Sequence, residues 1–330
     1  MSAERSAPPF RGAMVGAALA NRRPRIEWVR QAGVAIGCIS LFVIFSFLAR
    51  TFYQPANLID IMLQSSINGV MAVGMTLVVI AKGIDLSVGS VVGVSSMIAT
   101  SLLPEGLWLG VGAGLLVGLG CGLLNGVLIA KLRLPDFIVT LGTMSIFRGA
   151  ALIYTDGKPI YGVAKLFRSI FAGDVYGLPT PVLFALAIAA LAYLLLRFTA
   201  LGEQIVATGG NEEAARLAGI GVDGVKICVY AISGVLSSVA GLILVARIGA
   251  AEPIGGNGFE LQAIGAAVIG GASLFGGEGN PLGSLVGALT LGAMRNGLTL
   301  LNVPSFWQFV ATGVVVILAV LADQVTRKRR

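Results

Sequence analysis

The spacing of charge constrains this chain more than any other feature. Cutting it at every Asp, Glu, Lys and Arg leaves long uncharged stretches at residues 31–49, 61–81, 86–104, 106–130, 175–196, 227–246, 261–277 and 296–322. A helix that crosses a bilayer needs roughly 20 mostly apolar residues, and most of these stretches are long enough. Only 12% of the 330 residues are charged and 56% are hydrophobic, whereas a soluble domain carries about 25% charged residues. The expected fold class is an all-α polytopic membrane protein. A disordered chain, a secreted disulfide scaffold and a soluble nucleic-acid binder are excluded.

About ten spans can be drawn, at residues 31–49, 59–81, 86–103, 107–130, 135–153, 181–196, 225–246, 262–275, 282–301 and 305–322. An even count puts both termini on one side. That side collects Arg5, Arg11, Arg22, Arg23, Arg25, Arg30, Lys82, Lys131, Arg133, Arg197, Arg216, Lys226, Arg327, Lys328, Arg329 and Arg330, most of the 23 basic residues. The positive-inside rule then places both termini in the cytoplasm. The net charge of +7 reports this topology rather than a nucleic-acid partner. Residues 1–30 read as a cytoplasmic N-terminal arm, 31–324 as the membrane domain with a cytoplasmic loop at 197–226, and 325–330 as a basic cytoplasmic tail. The apolar run 12–20 is too short and too rich in Gly and Ala for a cleaved signal, so it belongs to the arm.

Lipid gives helices no hydrophobic reason to associate, so small residues must let them pack closely. Gly110, Gly114, Gly118, Gly122 and Gly126 recur every four residues and form one smooth ridge. Gly89 with Gly93 and Gly283 with Gly287 begin similar ridges. The segment 88–93 also echoes 282–287, and Asn125-Gly126 echoes Asn296-Gly297, a pattern consistent with internal duplication.

The chemistry available is narrow. There is no histidine, and Cys38, Cys121 and Cys228 sit at unrelated spacings inside apolar stretches, so they read as packing residues and no metal site is expected. Asp60, Asp85, Asp136, Glu260 and Glu278 all border spans, whereas Gln64, Ser65, Ser66, Asn68, Thr76, Asn125, Thr140 and Thr143 lie at membrane depth. Proton-coupled transporters place ionisable groups inside their helices; a neutral lining suits a neutral polar solute instead. No phosphate-binding Gly-x-x-x-x-Gly-Lys-Ser/Thr loop exists, since Gly157-Lys158 lacks the earlier glycine and precedes Pro159. Any ATPase is therefore a separate subunit, and this chain is not itself an enzyme.

The loop 197–226 offers such a subunit a docking place. Asn211 suits an N-cap, and Glu212 and Glu213 follow where the helix dipole favours acids. Glu212 and Arg216 stand at i and i+4. Ala214, Ala215, Leu217 and Ala218 offer a small-residue surface, and Gly219 ends the turn. A helix this short is marginal alone, so it needs tertiary support or a partner. A purely structural cytoplasmic helix is the other reading.

At Gly83-Ile84-Asp85-Leu86-Ser87-Val88-Gly89-Ser90 the chain resembles the permease subunits of ribose-type ABC sugar importers. Leu124-Asn125-Gly126 with Lys131, residues 137–144, Arg148-Gly149, residues 154–157, residues 207–220, Phe259-Glu260-Leu261, residues 269–273 and Gly276-Gly277 extend the match in order. The resemblance covers residues 53–323. It implies a type II ABC importer-like permease in the bacterial inner membrane, paired with a second copy or a close paralogue and surrounded by lipid. It also implies an ATPase subunit with paired nucleotide-binding domains that carry ATP and Mg, and a periplasmic sugar-binding protein that delivers a monosaccharide, a ribose-like pentose or a hexose. The chain itself would hold no cofactor. Residues 211–220 would sit in the ATPase cleft. Lys82 and Asp136 depart from the family, which often has a small residue before Gly83 and a proline after Pro135.

Asp85 reads as an N-cap for span three or as part of a cytoplasmic gate, with Ser87, Gln64, Asn68, Asn125, Thr140 and Thr143 as further pathway candidates. Arg148 and Arg295 lie near outer span ends, where they can snorkel to headgroups or dock the binding protein. The rival functions are an ABC permease for another neutral or zwitterionic solute, such as a branched-chain amino acid or a signalling sugar, and a stand-alone transporter or channel. An intramembrane enzyme lacks the histidine and buried acid pairs it would need.

Overall fold

The computed structural model describes residues 23–328. The expected arm, 1–30, lies mostly outside the described residues, as does the end of the tail at 325–330. Helix α1 (Arg23–Leu48) starts within the segment assigned to the arm. Pro24 falls in its first turn, where a missing N–H leaves no hydrogen bond unmade.

The chain then runs through α2 (Pro55–Ile80), α3 (Val88–Leu102), α4 (Leu107–Ala130), α5 (Asp136–Thr155), α6 (Lys165–Ala172) and α7 (Thr180–Phe198). Next come α8 (Ala200–Gly210), α9 (Glu212–Leu217), α10 (Val222–Ile248), α11 (Phe259–Ile269), α12 (Pro281–Leu300) and α13 (Ser305–Lys328). By length and composition α2, α4, α5, α7 and α10 can each cross a membrane. A helix stands at every place where a span is drawn, but α3 and α11 are short. Their 15 and 11 residues extend about 22 Å and about 17 Å at 1.5 Å per residue, less than the roughly 30 Å hydrocarbon core. Irregular backbone at 83–87 precedes α3, and another irregular run at 270–280 follows α11.

The all-α expectation needs a small correction. Two-residue strands β1 (Ile160–Tyr161) and β4 (Ala250–Ala251) pair antiparallel, as do β2 (Asp174–Val175) and β3 (Leu178–Pro179). Between β1 and β2, α6 buries Phe167 and Phe171, and Phe171 stacks on Phe184 of α7. The charges at Lys158, Lys165, Arg168 and Asp174 interrupt the hydropathy of this stretch, which lies between the spans drawn at 135–153 and 181–196.

Helix α2 is the axis of the bundle: 89% of its apolar window is buried, against 28% for α5 and 22% for α7. The glycine ridge of α4 serves two neighbours. Gly110 and Gly114 meet Ala99 of α3, while Gly118, Gly122 and Gly126 lie against Ser238, Gly234, Tyr230 and Ile227 of α10. A Cβ on Gly122 would fall on the Tyr230 carbonyl oxygen. The echoed segments share a role as well. Gly89 and Gly93 receive the backbone of Gly256 and Pro253, and Gly283 and Gly287 receive that of Gly270 and Ala266. Both echoes are the first turns of helices that follow a break, where small residues admit another strand of backbone.

Candidate functional site

The polar segment 197–226 folds into two short helices with side-chain caps at each start. Thr199 Oγ1 accepts from the Gly202 amide at 3.2 Å and opens α8; Asn211 Oδ1 accepts from the Ala214 amide at 3.0 Å and opens α9. Gly219, at φ 84°, takes the left-handed conformation that closes α9, with Ile220 N–H donating back to the Ala215 carbonyl at 3.0 Å.

An ion network ties this six-residue helix to α10. Arg216 donates to Glu212 at 3.1 Å and to Asp223 at 2.6 Å, and Lys226 donates to Glu212 Oε2 at 2.7 Å. Lys131, just beyond α4, reaches Asp223 at 3.7 Å. Partial burial acts to raise the Glu212 pKa, but hydrogen bonds from Lys226 and Arg216 outweigh it and hold the carboxyl below its ordinary range. The bonds from Arg216 to Asp223 and Glu212 raise the guanidinium pKa in turn. The helix therefore has an inward side that is fully engaged. Ala215 is buried, which removes it from the expected outward surface, while Leu217 is 91% exposed beside exposed Glu213, Ala214 and Ala218.

Behind this segment lies the break between α2 and α3. Lys82 N–H donates to Val79 and Gly83 N–H to Val78, both at 2.9 Å, so α2 ends in a Schellman turn whose left-handed residue is Lys82 at φ 64°. Glycine is the usual occupant of that position, which accounts for the small residue that Lys82 replaces. Asp136, the other departure, heads α5 and accepts the Ile84 amide at 2.8 Å. The Ile84 carbonyl accepts from Thr140 Oγ1 and Tyr230 OH, each at 3.2 Å.

Asp85 is 1% exposed and collects several donors. Oδ1 accepts from the Ser87 amide at 3.0 Å and Ser87 Oγ at 2.7 Å, and Oδ2 accepts from Ser233 Oγ at 2.9 Å. Asn125 Nδ2 donates to Ser87 Oγ at 2.8 Å. Irregular backbone in a membrane domain survives only where protein satisfies it; here α5 and α10 partner the Ile84 backbone, and α4 holds the Ser87 hydroxyl. The break adjoins the capped helices directly. Gly277 N–H donates to the Ile80 carbonyl at 2.8 Å, and Gly209 of α8 packs against that same carbonyl. A cavity of about 490 Å³ separates the break from α9, with Lys82, Arg133, Asp136, Glu212 and Tyr230 in its walls.

The expected site residues thus divide into three groups. Asp85, Ser87, Asn125 and Thr140 come together in the clasp around the break, and Thr143 is buried one turn beyond Thr140 on α5, bonded to its carbonyl. Asn68 lies apart, donating to Gln262 of α11 at 2.7 Å, and Gln64 is half-buried. The Asn68 and Asn125 amide nitrogens are spent on contacts between elements, while their Oδ1 atoms are buried without a hydrogen-bond partner. Arg148 and Arg295 are half-buried; Arg148 lies on α5 two turns beyond Thr140, and Arg295 is on α12.

Tyr230, Ser233 and Gln262 complete these contacts and were not singled out from the sequence. A lone tyrosine and three serines in the apolar run 227–246 were the available signal, since a buried phenol usually finds a partner. Asn57 and Asn296 were likewise missed as a pair; they exchange amide hydrogen bonds at 3.0 and 2.8 Å between α2 and α12.

Residues 57–320 match the family model described as branched-chain amino acid transport system / permease component. The ribose import permease RbsC of Haemophilus influenzae is 43% identical over 294 residues, covering 87% of this chain and 91% of the relative. The D-allose permease AlsC of Escherichia coli K12 is 38% identical over 91% of this chain and 93% of its own length. The L-arabinose permease AraH of the same organism is 39% identical over 91% and 92%. No solved structure matches the chain.

Proposed function

This chain belongs to the permease-component family of that description, and from that premise we propose that it is the membrane-spanning subunit of an ABC importer for a monosaccharide. The observation that carries this reading is the 43% identity to a ribose import permease across nearly the full length of both chains. The helices cross the inner membrane about ten times, with α3 and α11 as short segments completed by buried loops and both termini cytoplasmic. Two copies, or one copy and a close paralogue, form the path. ATP and Mg belong to the partner ATPase, and a periplasmic binding protein delivers the sugar.

In this reading α9 is the coupling element. Its inward side is pinned to α10, so a push on its outward side moves α8 and α9 as a unit. The contact of Gly209 with Ile80 passes that movement to the end of α2 and to the break at 83–87. Asp85, Ser87, Asn125 and Thr140 hold the break in register while the surrounding helices shift, and Arg148 and Arg295 face the binding-protein side.

Glu212 is part of the internal network, so the cleaner probe is the outward pair, Glu213→Lys with Leu217→Asp. This double variant should fold normally and lose ATPase copurification or ATP-driven uptake. Normal retention of both would refute the coupling role. A second reading, import of a zwitterionic branched-chain amino acid, is favoured by the description of the family. Uptake of leucine in place of ribose, allose and arabinose would select it.

A further inference from the structure

The cavity beside the break has a chemical character that coupling alone does not explain. It opens at the end of the bundle where α2 and α4 stop and α5 and α10 begin, the level at which a membrane helix meets headgroups. Its two carboxylates are engaged: Asp136 accepts the Ile84 amide and Glu212 holds Arg216 and Lys226. Two of its cations are not. Among the described residues, neither Lys82 nor Arg133 has a hydrogen bond or ion pair through its side chain, and both are exposed. Both also stand in left-handed backbone, at φ 64° and 54°, conformations that long side chains seldom adopt.

An apolar track leads away from these cations along α5. Leu134, in the extended residues before α5, lines the cavity, and Phe137, Ile138 and Leu141 continue from it on one face of the helix. All four are exposed, by 44%, 51%, 63% and 41% respectively. A free phosphate would use the cations and leave the stripe bare. A molecule with a phosphate at one end and acyl chains at the other would use both.

We propose that this cavity binds the phosphate headgroup of an anionic phospholipid, with Lys82 and Arg133 as its ligands and the acyl chains lying along Leu134, Phe137, Ile138 and Leu141. The inference does not rest on the transport reading, because its readout is lipid retention rather than uptake. A lipid held there would also fill the space between the break and α9, and so stiffen the contact between them.

The test uses the full-length chain in nanodiscs of phosphatidylcholine with or without phosphatidylglycerol, read by native mass spectrometry of retained lipid. Phosphatidylglycerol should be retained about thirtyfold more tightly than phosphatidylcholine, as expected of two interfacial cations. Lys82→Gln with Arg133→Gln should abolish the preference, while Lys158→Gln, at the opposite end of the bundle, should keep it. Equal retention of the two lipids by the unaltered chain, or an undiminished preference in the double variant, would overturn the proposal. So would release of phosphatidylglycerol by millimolar inorganic phosphate, which would mark a soluble-anion site. A lipid-free dimer would assign the stripe to a second copy instead. Because lipid preference and phosphate competition are measured on the unaltered chain, the proposal stands or falls even if the double variant fails to fold.

Discussion

Asp85 carries the densest polar chemistry in the described chain, and its environment is assembled from three helices that are remote in sequence. Ser233 Oγ donates to Oδ2, so Ser233→Ala leaves a buried carboxylate oxygen without that bond. Such a loss costs about 1–3 kcal/mol, more if the group is charged, and should appear as a lowered melting temperature in detergent. Ser237→Ala is the control, because the Ser237 hydroxyl donates to its own helix carbonyl at position 233; it strands no buried carboxylate and should lower the melting temperature less. Several of these residues were legible before the fold was known: Asp85, Ser87, Asn125 and Thr140 stand out as polar groups in apolar stretches. Their relation to one another was not. Spacing places Asn125 and Thr140 on separate helices, but only packing shows that they converge on Ile84 and Ser87. Asp136 and Lys82 looked like blemishes in a motif, and each turns out to hold a specific backbone position.

The elements were read most reliably where local chemistry alone determines them. Asn211 and Gly219 bound α9 as a cap and a left-handed closure should, and the glycine ridge of α4 packs against neighbouring helices. The ridge yields a sharp contrast within one helix. Gly120 has open space where a Cβ would go, whereas a Cβ on Gly122 would strike the Tyr230 backbone. Gly120→Ala should therefore stabilise by up to about 1 kcal/mol through helix propensity, and Gly122→Ala should destabilise by about 1–3 kcal/mol through overpacking; melting temperatures of the two variants should move in opposite directions. The network around α9 also sets a pH dependence. Glu212 is held below its ordinary range in the folded chain, so its stabilising contribution is complete above about pH 4.3 and is lost as the pH falls through the lower folded value. Its partial exposure makes the effect modest. Amide protection in 200–217 should be flat from neutral pH down to that range and decline below it. The spans at 86–103 and 262–275 were drawn longer than α3 and α11 because Leu86-Ser87 and residues 270–275 carry no charge, so composition does not separate their irregular backbone from helix.

At the scale of the molecule, the low proportion of charge already indicated a membrane domain, and the neutrality of its interior indicated an uncharged cargo and a borrowed energy source. In the proposed reading, the borrowed energy enters at α9. α9 presents Leu217 and Glu213 outward, is pinned inward by Arg216 and Lys226, and backs through α8 onto the end of the most buried helix. The sparsely buried faces of α5 and α7 leave room for lipid and for a second copy. Which side a helix face turns to a partner is a property of assembly, and no pattern in a single chain encodes it. The decisive measurement is uptake of labelled ribose, allose and arabinose into proteoliposomes containing this chain, with and without its ATPase and binding protein. Uptake of one of these sugars that requires both partners and ATP is the expected result. Sugar entry through the chain alone, driven only by the concentration gradient, would contradict it.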